Sequence, residues 1–326
     1  MEYKLDLKDK KLLYELDLNS RQSFNGLARK LKLSKNAVAY RISNLQKAGV
    51  IKQFHTVVDT GKLGYISFRL YLRLQNATPE KEQEIIEFLK QKEIVTWIVS
   101  IEGDYSIGAL ILTKSVSEMN SLWKELLEKY VNYIDERLLT IMTKVSYFSR
   151  AYLLDMKENA YEIAFATEPN KIDMDKKDIE ILKFLAPNAR IPIIEIAQKL
   201  KMTPKTVISR IKNLEKKEII IGYKTVFDIE KLGYQYFKIN FRLHNTTREK
   251  ISRLRSFIKM HPSIIYDDEV LGGDDLEIEV QLKDMQELRK LIEEIKSGFA
   301  DMIKEYKTML FYREHKYLFL PVRIYI

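Results

Sequence analysis

The sequence predicts an α+β fold in which one two-part unit is written twice: three short helices with a β-rich tail, then a β-α-β-β-α-β module. Three observations predict it. Sliding the chain against itself by 169 places makes 25 of the 60 pairs from Asp6 to Tyr65 identical without a gap, and the same offset lays Gly103 on Gly272. Apolar residues recur at helical spacing in the first part of each copy. From Tyr65 onward the period changes to two, as a strand with two unlike faces requires.

Taken in order, the blocks at residues 8–18, 24–31 and 35–48 read as helices. The third starts at Ser34 in one copy and at Thr203-Pro204 in the other, a hydroxyl cap followed in the second copy by a proline preset for the first helical position. Gly49 closes that helix in the first copy, and a β-branched run follows (Val50-Ile51, then Thr56-Val57-Val58), which predicts a β-hairpin and completes a winged helix-turn-helix. Glu218 stands where the first copy has Gly49, so the second turn is expected to close another way, through Gly222. Next, Phe68, Leu70, Leu72 and Leu74 alternate with Arg69, Tyr71 and Arg73, as on a half-buried strand. A helix (79–91), strands (95–101 and 107–113), a helix (115–130) and a last strand (137–147) give a ferredoxin-like order. The second copy repeats it at 236–243, 249–260, 264–271, 277–282, 285–299 and 305–319. The expected domains are 1–62 and 171–231 (winged helix-turn-helix), 63–150 and 232–326 (ferredoxin-like), with a linker at 151–170 whose Leu153, Leu154, Ile163 and Phe165 should pack.

Length and composition agree with several domains: 326 residues, 46% hydrophobic and 31% charged, with 11 Gly and 7 Pro. No cysteine occurs, which excludes disulfides, thiolate metal sites and cysteine nucleophiles. Apolar runs such as 107–112 are far shorter than the ~20 residues that span a bilayer, and the first eleven residues do not form a signal peptide, so a soluble cytoplasmic protein is expected. The net charge is +9, and it is concentrated: residues 1–65 hold 13 Lys and Arg against 6 Asp and Glu, and residues 170–234 hold 14 against 9. Two such segments in an otherwise near-neutral chain attract a polyanion.

With Val38, Ile42 and Leu45 facing a core, the opposite face of the third helix carries Lys35, Asn36, Tyr40 and Ser43, with Lys47 beyond. Its counterpart turns Val207, Ile211 and Leu214 inward and presents Lys205, Thr206, Ser209 and Lys212, with Lys216 beyond. Cations suit phosphates, and short amide or hydroxyl groups suit base edges in a major groove. A solvated face explains either helix alone; two copies in the same structural place favour double-stranded DNA. Arg41 and Arg210 sit beside the inward isoleucines and would reach phosphates, or else pair within the protein. Ser34, Thr203, Arg21 and Arg190, at helix starts, are further candidate backbone contacts.

These residues resemble the leucine-responsive/asparagine-regulator (Lrp/AsnC) transcription factors, through Leu5-Asp-x-x-Asp9, Leu27-Ala-x-x-Leu31, Ser34-x-x-x-Val38-x-x-Arg41-Ile-x-x-Leu45, Gly49-Val-Ile51 and Asp59-x-x-x-Leu-Gly-Tyr65. The resemblance implies a transcriptional regulator bound to promoter or operator DNA, a ferredoxin-like module that pairs through its sheet, homo-oligomers, and small effectors, often amino acids. It also implies an effector pocket near a Gly-x-x-Asp turn. That turn is Gly272-Gly273-Asp274-Asp275 in the second copy, but Gly103-Asp104-Tyr105-Ser106 in the first, where Ser106 replaces the acidic residue. A plain hairpin turn is the alternative. Fusion favours pairing of the two halves within one chain, with pairing across chains as the alternative.

No enzyme, cofactor or metal site is expected. His55, His244, His261 and His315 each stand alone, and no phosphate-cradling loop, zinc motif or nucleophile elbow occurs. Asp267-Asp268-Glu269 reads as a solvated acidic edge. Two alternatives remain: a tetrapyrrole enzyme like the siroheme decarboxylases, which share this paired fold, and an architectural DNA binder without base preference.

Overall fold

The first helix, α1 (Leu7–Leu18), begins at a reciprocal cap: the Asp6 carboxylate accepts the Asp9 amide at 2.7 Å, and the Asp9 carboxylate accepts the Asp6 amide at 3.2 Å. Both bonds satisfy N–H groups that a helix start leaves without partners. The computed structural model describes residues 3–318 and 320–321, and there α2 (Phe24–Leu31) and α3 (Lys35–Lys47) follow within a residue of their expected bounds. The next strand, β1 (Ile51–Val58), departs from expectation. It runs through without a hairpin, because its partner lies in the second copy.

The first module is β2 (Ile66–Leu74), α4 (Pro79–Gln91), β3 (Val95–Gly103), β4 (Ile107–Thr113), α5 (Val116–Tyr130) and β5 (Ile134–Phe148). In the connecting segment β6 (Glu162–Ala166) pairs with the end of β5, so the linker does pack. The second copy consists of α6 (Lys176–Leu185), α7 (Ile193–Leu200), α8 (Pro204–Lys216), β7 (Ile220–Phe227), β8 (Gln235–Leu243), α9 (Arg248–Met260), β9 (Ile264–Leu271), β10 (Leu276–Leu282), α10 (Met285–Gly298) and β11 (Ile303–Tyr317). Phe319, where the last strand was expected to end, lies outside the described residues.

The modules pair within the chain and close on each other. Strand order runs β2-β4-β3-β11-β8-β10-β9-β5, and β5 pairs back onto β2. The copies meet at β3–β11 (Trp97 opposite Tyr317) and at β5–β9 (Tyr147 opposite Tyr266). Closure removes the open edges each module would otherwise expose. Outside this barrel, α4 and α5 cover Phe68, Leu70, Leu72 and Ile111, while the second copy's helices cover Phe237, Ile239, Ile278 and Val280.

The inner face corrects two expectations. Arg69, which the alternation placed on a solvent face, is 7% exposed, and Asp268, expected on a solvated edge, is 2% exposed. Arg69 Nη2 lies 3.1 Å from Asp268 Oδ2 and 3.3 Å from Glu279 Oε1. Lys238 Nζ lies 2.8 Å from Glu277 Oε2 and 3.2 Å from Asp268 Oδ2. Asp267 does point to the opposite face, where Arg255 meets it at 2.6 Å. Adjacent residues alternate faces as predicted, but here both faces are covered.

The helical units also merge. β1 and β7 form an antiparallel ribbon, with Ile51 opposite Phe227 and His55 opposite Lys224. Thr56 Oγ1 donates to the Leu185 carbonyl and Thr225 Oγ1 to the Leu16 carbonyl, each at 2.8 Å. Leu12, Leu16, Val38 and Ile42 therefore share one core with Leu182, Leu185, Val207 and Ile211. The turn after α8 closes as its counterpart does: Gly49 has φ +70° and Glu218 itself takes φ +54°. Gly222 has no part in that turn. It lies in β7 opposite Val57, where a Cβ would meet Ile163 Cδ1 at 2.5 Å.

Candidate nucleic-acid interface

Both third helices present the faces that their apolar spacing demands. On α3, Lys35, Asn36 and Tyr40 are exposed and Ser43 is half-buried, while Val38, Ile42 and Leu45 are buried. On α8, Lys205, Thr206, Ser209 and Lys212 are all exposed, and Val207, Ile211 and Leu214 are buried. Ser34 Oγ accepts the Ala37 amide and Thr203 Oγ1 the Thr206 amide, each at 3.1 Å, so these two hydroxyls serve as helix caps. Thr203 and Thr206 also hydrogen-bond through their hydroxyls at 2.8 Å.

The arginines are placed otherwise than a phosphate-contact role requires. Arg41 Nη1 is 2.6 Å from Asp9 and 2.8 Å from Asp6. Arg210 Nη1 repeats the arrangement, 2.8 Å from Asp178 and 2.6 Å from Asp175. The hydrogen bond that the guanidinium donates to Asp9, and in the second copy to Asp178, raises its pKa against the effect of burial. These ion pairs tie the third helix of each unit to the start of its first. Arg21 and Arg190 cross between the copies: Arg21 donates to the Ala189 carbonyl, and Arg190 Nη1 donates to those of Ser20 at 2.6 Å and Gln22 at 2.9 Å. Burial lowers the pKa of both. The backbone carbonyls that they satisfy, not phosphates, are their partners.

A second crossing pair was missed in the sequence. Lys231 Nζ donates to the Ala48 carbonyl at 2.7 Å, and Lys62 Nζ donates to the Lys217 carbonyl at 3.1 Å. Each lysine therefore caps the C-terminus of the other copy's third helix, where orphan carbonyls and the helix dipole favour a cation. The repeated Lys-Leu-Gly-Tyr at 62–65 and 231–234 was the available signal. What it did not reveal is that its lysine acts across copies. Together the caps, crossing arginines and ribbon set α3 and α8 relative to each other.

The two turns expected near an effector do similar work. Asp275 Oδ2 accepts the Leu243 amide at 2.7 Å, and Ser106 Oγ accepts the Leu74 amide at 3.1 Å. The acidic residue and its serine replacement cap equivalent strand ends, which favours the plain-turn alternative. Gly103 and Gly272 have φ +137° and +88° and provide the reversal. Asp104 Oδ2 lies 3.7 Å from Lys307, and Asp274 Oδ1 lies 3.3 Å from Arg242 Nε. Gly273 is packed against Glu277, Val270 and Thr140.

Two helix-turn-helix units fused on a closed ferredoxin-like barrel define a paired fold, and known proteins carry its parts. A model described as winged helix-turn-helix DNA-binding matches residues 5–52 and 174–221, and one described as the Lrp/AsnC ligand binding domain matches 237–319. An uncharacterised HTH-type transcriptional regulator of Pyrococcus abyssi is 33% identical over 130 residues, covering 40% of this chain and 86% of that protein. The HTH-type regulator LrpA of Pyrococcus horikoshii is 30% identical over 115 residues, covering 35% and 80%. The chain belongs to the Lrp/AsnC family, with two family units in one polypeptide. Over nearly its whole length the fold also matches the crystal structure of the siroheme decarboxylase NirDL, with TM-score 0.64, 14% identity, and coverage of 96% of this chain and 94% of that one. Among the described residues no helix is long and apolar enough to cross a membrane.

Proposed function

We propose that this chain is a transcriptional regulator that binds double-stranded DNA in a sequence-dependent way, with α3 and α8 as its two reading helices in the cytoplasm. The observation that carries the reading is that both copies expose a cationic and hydroxyl-bearing face on the same helix, and that these helices are braced against each other. The faces differ in chemistry: Lys35, Asn36, Tyr40 and Ser43 on one, Lys205, Thr206, Ser209 and Lys212 on the other. Unlike faces suit an asymmetric operator with half-sites ~34 Å apart or a multiple of that spacing. Small effectors and assembly of several chains follow the family pattern and belong to the same proposal.

The reading is non-enzymatic. The four histidines lie apart: His55 is buried beside Tyr317, His315 contacts Ser100 Oγ at 2.8 Å, His261 lies 3.7 Å from Glu294, and His244 is exposed. The cavity inside the barrel measures about 120 Å³. None of the four histidines lines it. Selection of bound fragments from random and genomic duplex tests the proposal. Enrichment of one bipartite sequence supports it, and equal affinity for selected and random duplex across salt concentrations overturns it in favour of an architectural binder.

A further inference from the structure

The barrel interior carries a charge pattern that differs between the copies. Arg69 and Lys238 are equivalent under the 169-residue offset, so each copy contributes one cation. Asp268, Glu277 and Glu279 have Val99, Gly108 and Leu110 as their equivalents, so all three of these carboxylates come from the second copy. Three buried acids thus face two buried bases. Asp268 Oδ2 engages Arg69 and Lys238, whereas Asp268 Oδ1, equally buried, has no hydrogen-bond partner among the described residues. A buried carboxylate oxygen left this way signals a missing partner.

Asp268 lines a cavity of about 120 Å³ beneath Thr56, Val57 and Val58 of β1. Its lining also includes the aromatic Trp97, Tyr147, Phe165, Tyr236, Tyr266 and Tyr317, with Arg69 and Glu279 beside Asp268. Tyr147 and Tyr266 meet edge to face at 4.7 Å, Tyr147 and Phe165 stack at 6.1 Å, and Arg69 lies 4.8 Å over the Trp97 ring. Aromatic faces around a carboxylate attract a soft cation. The volume, just below that of a benzene-sized cavity, limits the guest to roughly five or six heavy atoms. We propose that the barrel binds a small organic ammonium ion, held by the Asp268 carboxylate and the surrounding aromatic rings. The site is separate from the Gly272–Asp275 turn and is formed only when the two halves close on each other.

The test is calorimetric titration of the full chain with tetramethylammonium chloride against sodium chloride at equal ionic strength, without DNA. Saturable one-to-one binding of tetramethylammonium in the millimolar range or tighter is expected, with sodium giving no saturable heat. Asp268→Asn should weaken binding at least tenfold. Phe165→Leu, on β6 and less disruptive to the buried ionic network, should weaken it several-fold while the melting temperature stays near that of the parent. No saturable binding, the result expected if a proton alone neutralises the interior, overturns the proposal. So does binding that both variants leave unchanged. Because DNA is absent from the measurement, its failure leaves the regulator reading intact.

Discussion

Glu218 holds φ +54° where its counterpart is Gly49, a left-handed conformation that disfavours a side chain. Its carboxylate meets Lys62 at 3.0 Å but is largely exposed, so that pair contributes little. Glu218→Gly should therefore raise stability by ~0.5–1 kcal/mol, after the greater freedom of glycine in the unfolded chain is offset. Urea unfolding measures it, and a fall in stability contradicts the assignment of strain. Lys224 is a buried cation whose pKa burial lowers to about 8, despite Asp17 at 3.8 Å. The folded state then releases the proton before the unfolded chain does, so stability should rise as pH climbs from 8 towards 10, by at most ~3 kcal/mol. Lys224→Met should flatten that rise. An unchanged slope would show that the lysine keeps its charge in the fold.

At the scale of the helix, the exposed lysines and the paired arginines should separate in experiment. Lys35→Ala and Lys205→Ala should each weaken operator binding by ~1–3 kcal/mol if the lysine reads a base edge, and should make the salt dependence shallower if it meets a phosphate. Arg41→Ala removes ion pairs to Asp6 and Asp9 that are partly exposed, so it should lower stability by ~0.2–1 kcal/mol. Its effect on DNA affinity at temperatures well below melting should be the smaller one. If Arg41→Ala abolishes binding in a fully folded protein, the guanidinium exchanges its aspartates for phosphate. Arg190→Ala removes donors to two carbonyls of the other copy and should cost ~1–3 kcal/mol in thermal stability.

At the scale of the molecule, helix starts, the β-α-β-β-α-β order and the duplication were all legible, because caps and periodicity are local signals. The pairing of β1 with β7 was not, since a β-branched run states that a strand forms and leaves its partner open. The charged interior was missed for a related reason. Period two separates Arg69 from Leu70 and Asp268 from Asp267, but it does not say that both faces are covered once two sheets close. The matching polar alternation in Lys238 and Asn240, and in Glu277, Glu279 and Gln281, was the overlooked sign. The candidate reading faces were legible from apolar spacing; the crossing roles of Arg21, Arg190, Lys62 and Lys231 depend on hydrogen bonds between residues more than 150 places apart.

Footprinting of one chain on a selected duplex tests the account at its centre, that a single polypeptide places two unlike reading helices in neighbouring grooves at a fixed separation. The account predicts two protected segments ~34 Å or a multiple apart, in a bipartite site that keeps its orientation, with Lys35→Ala erasing protection at one segment and Lys205→Ala at the other. A single protected segment, or two that both variants weaken equally, would contradict it.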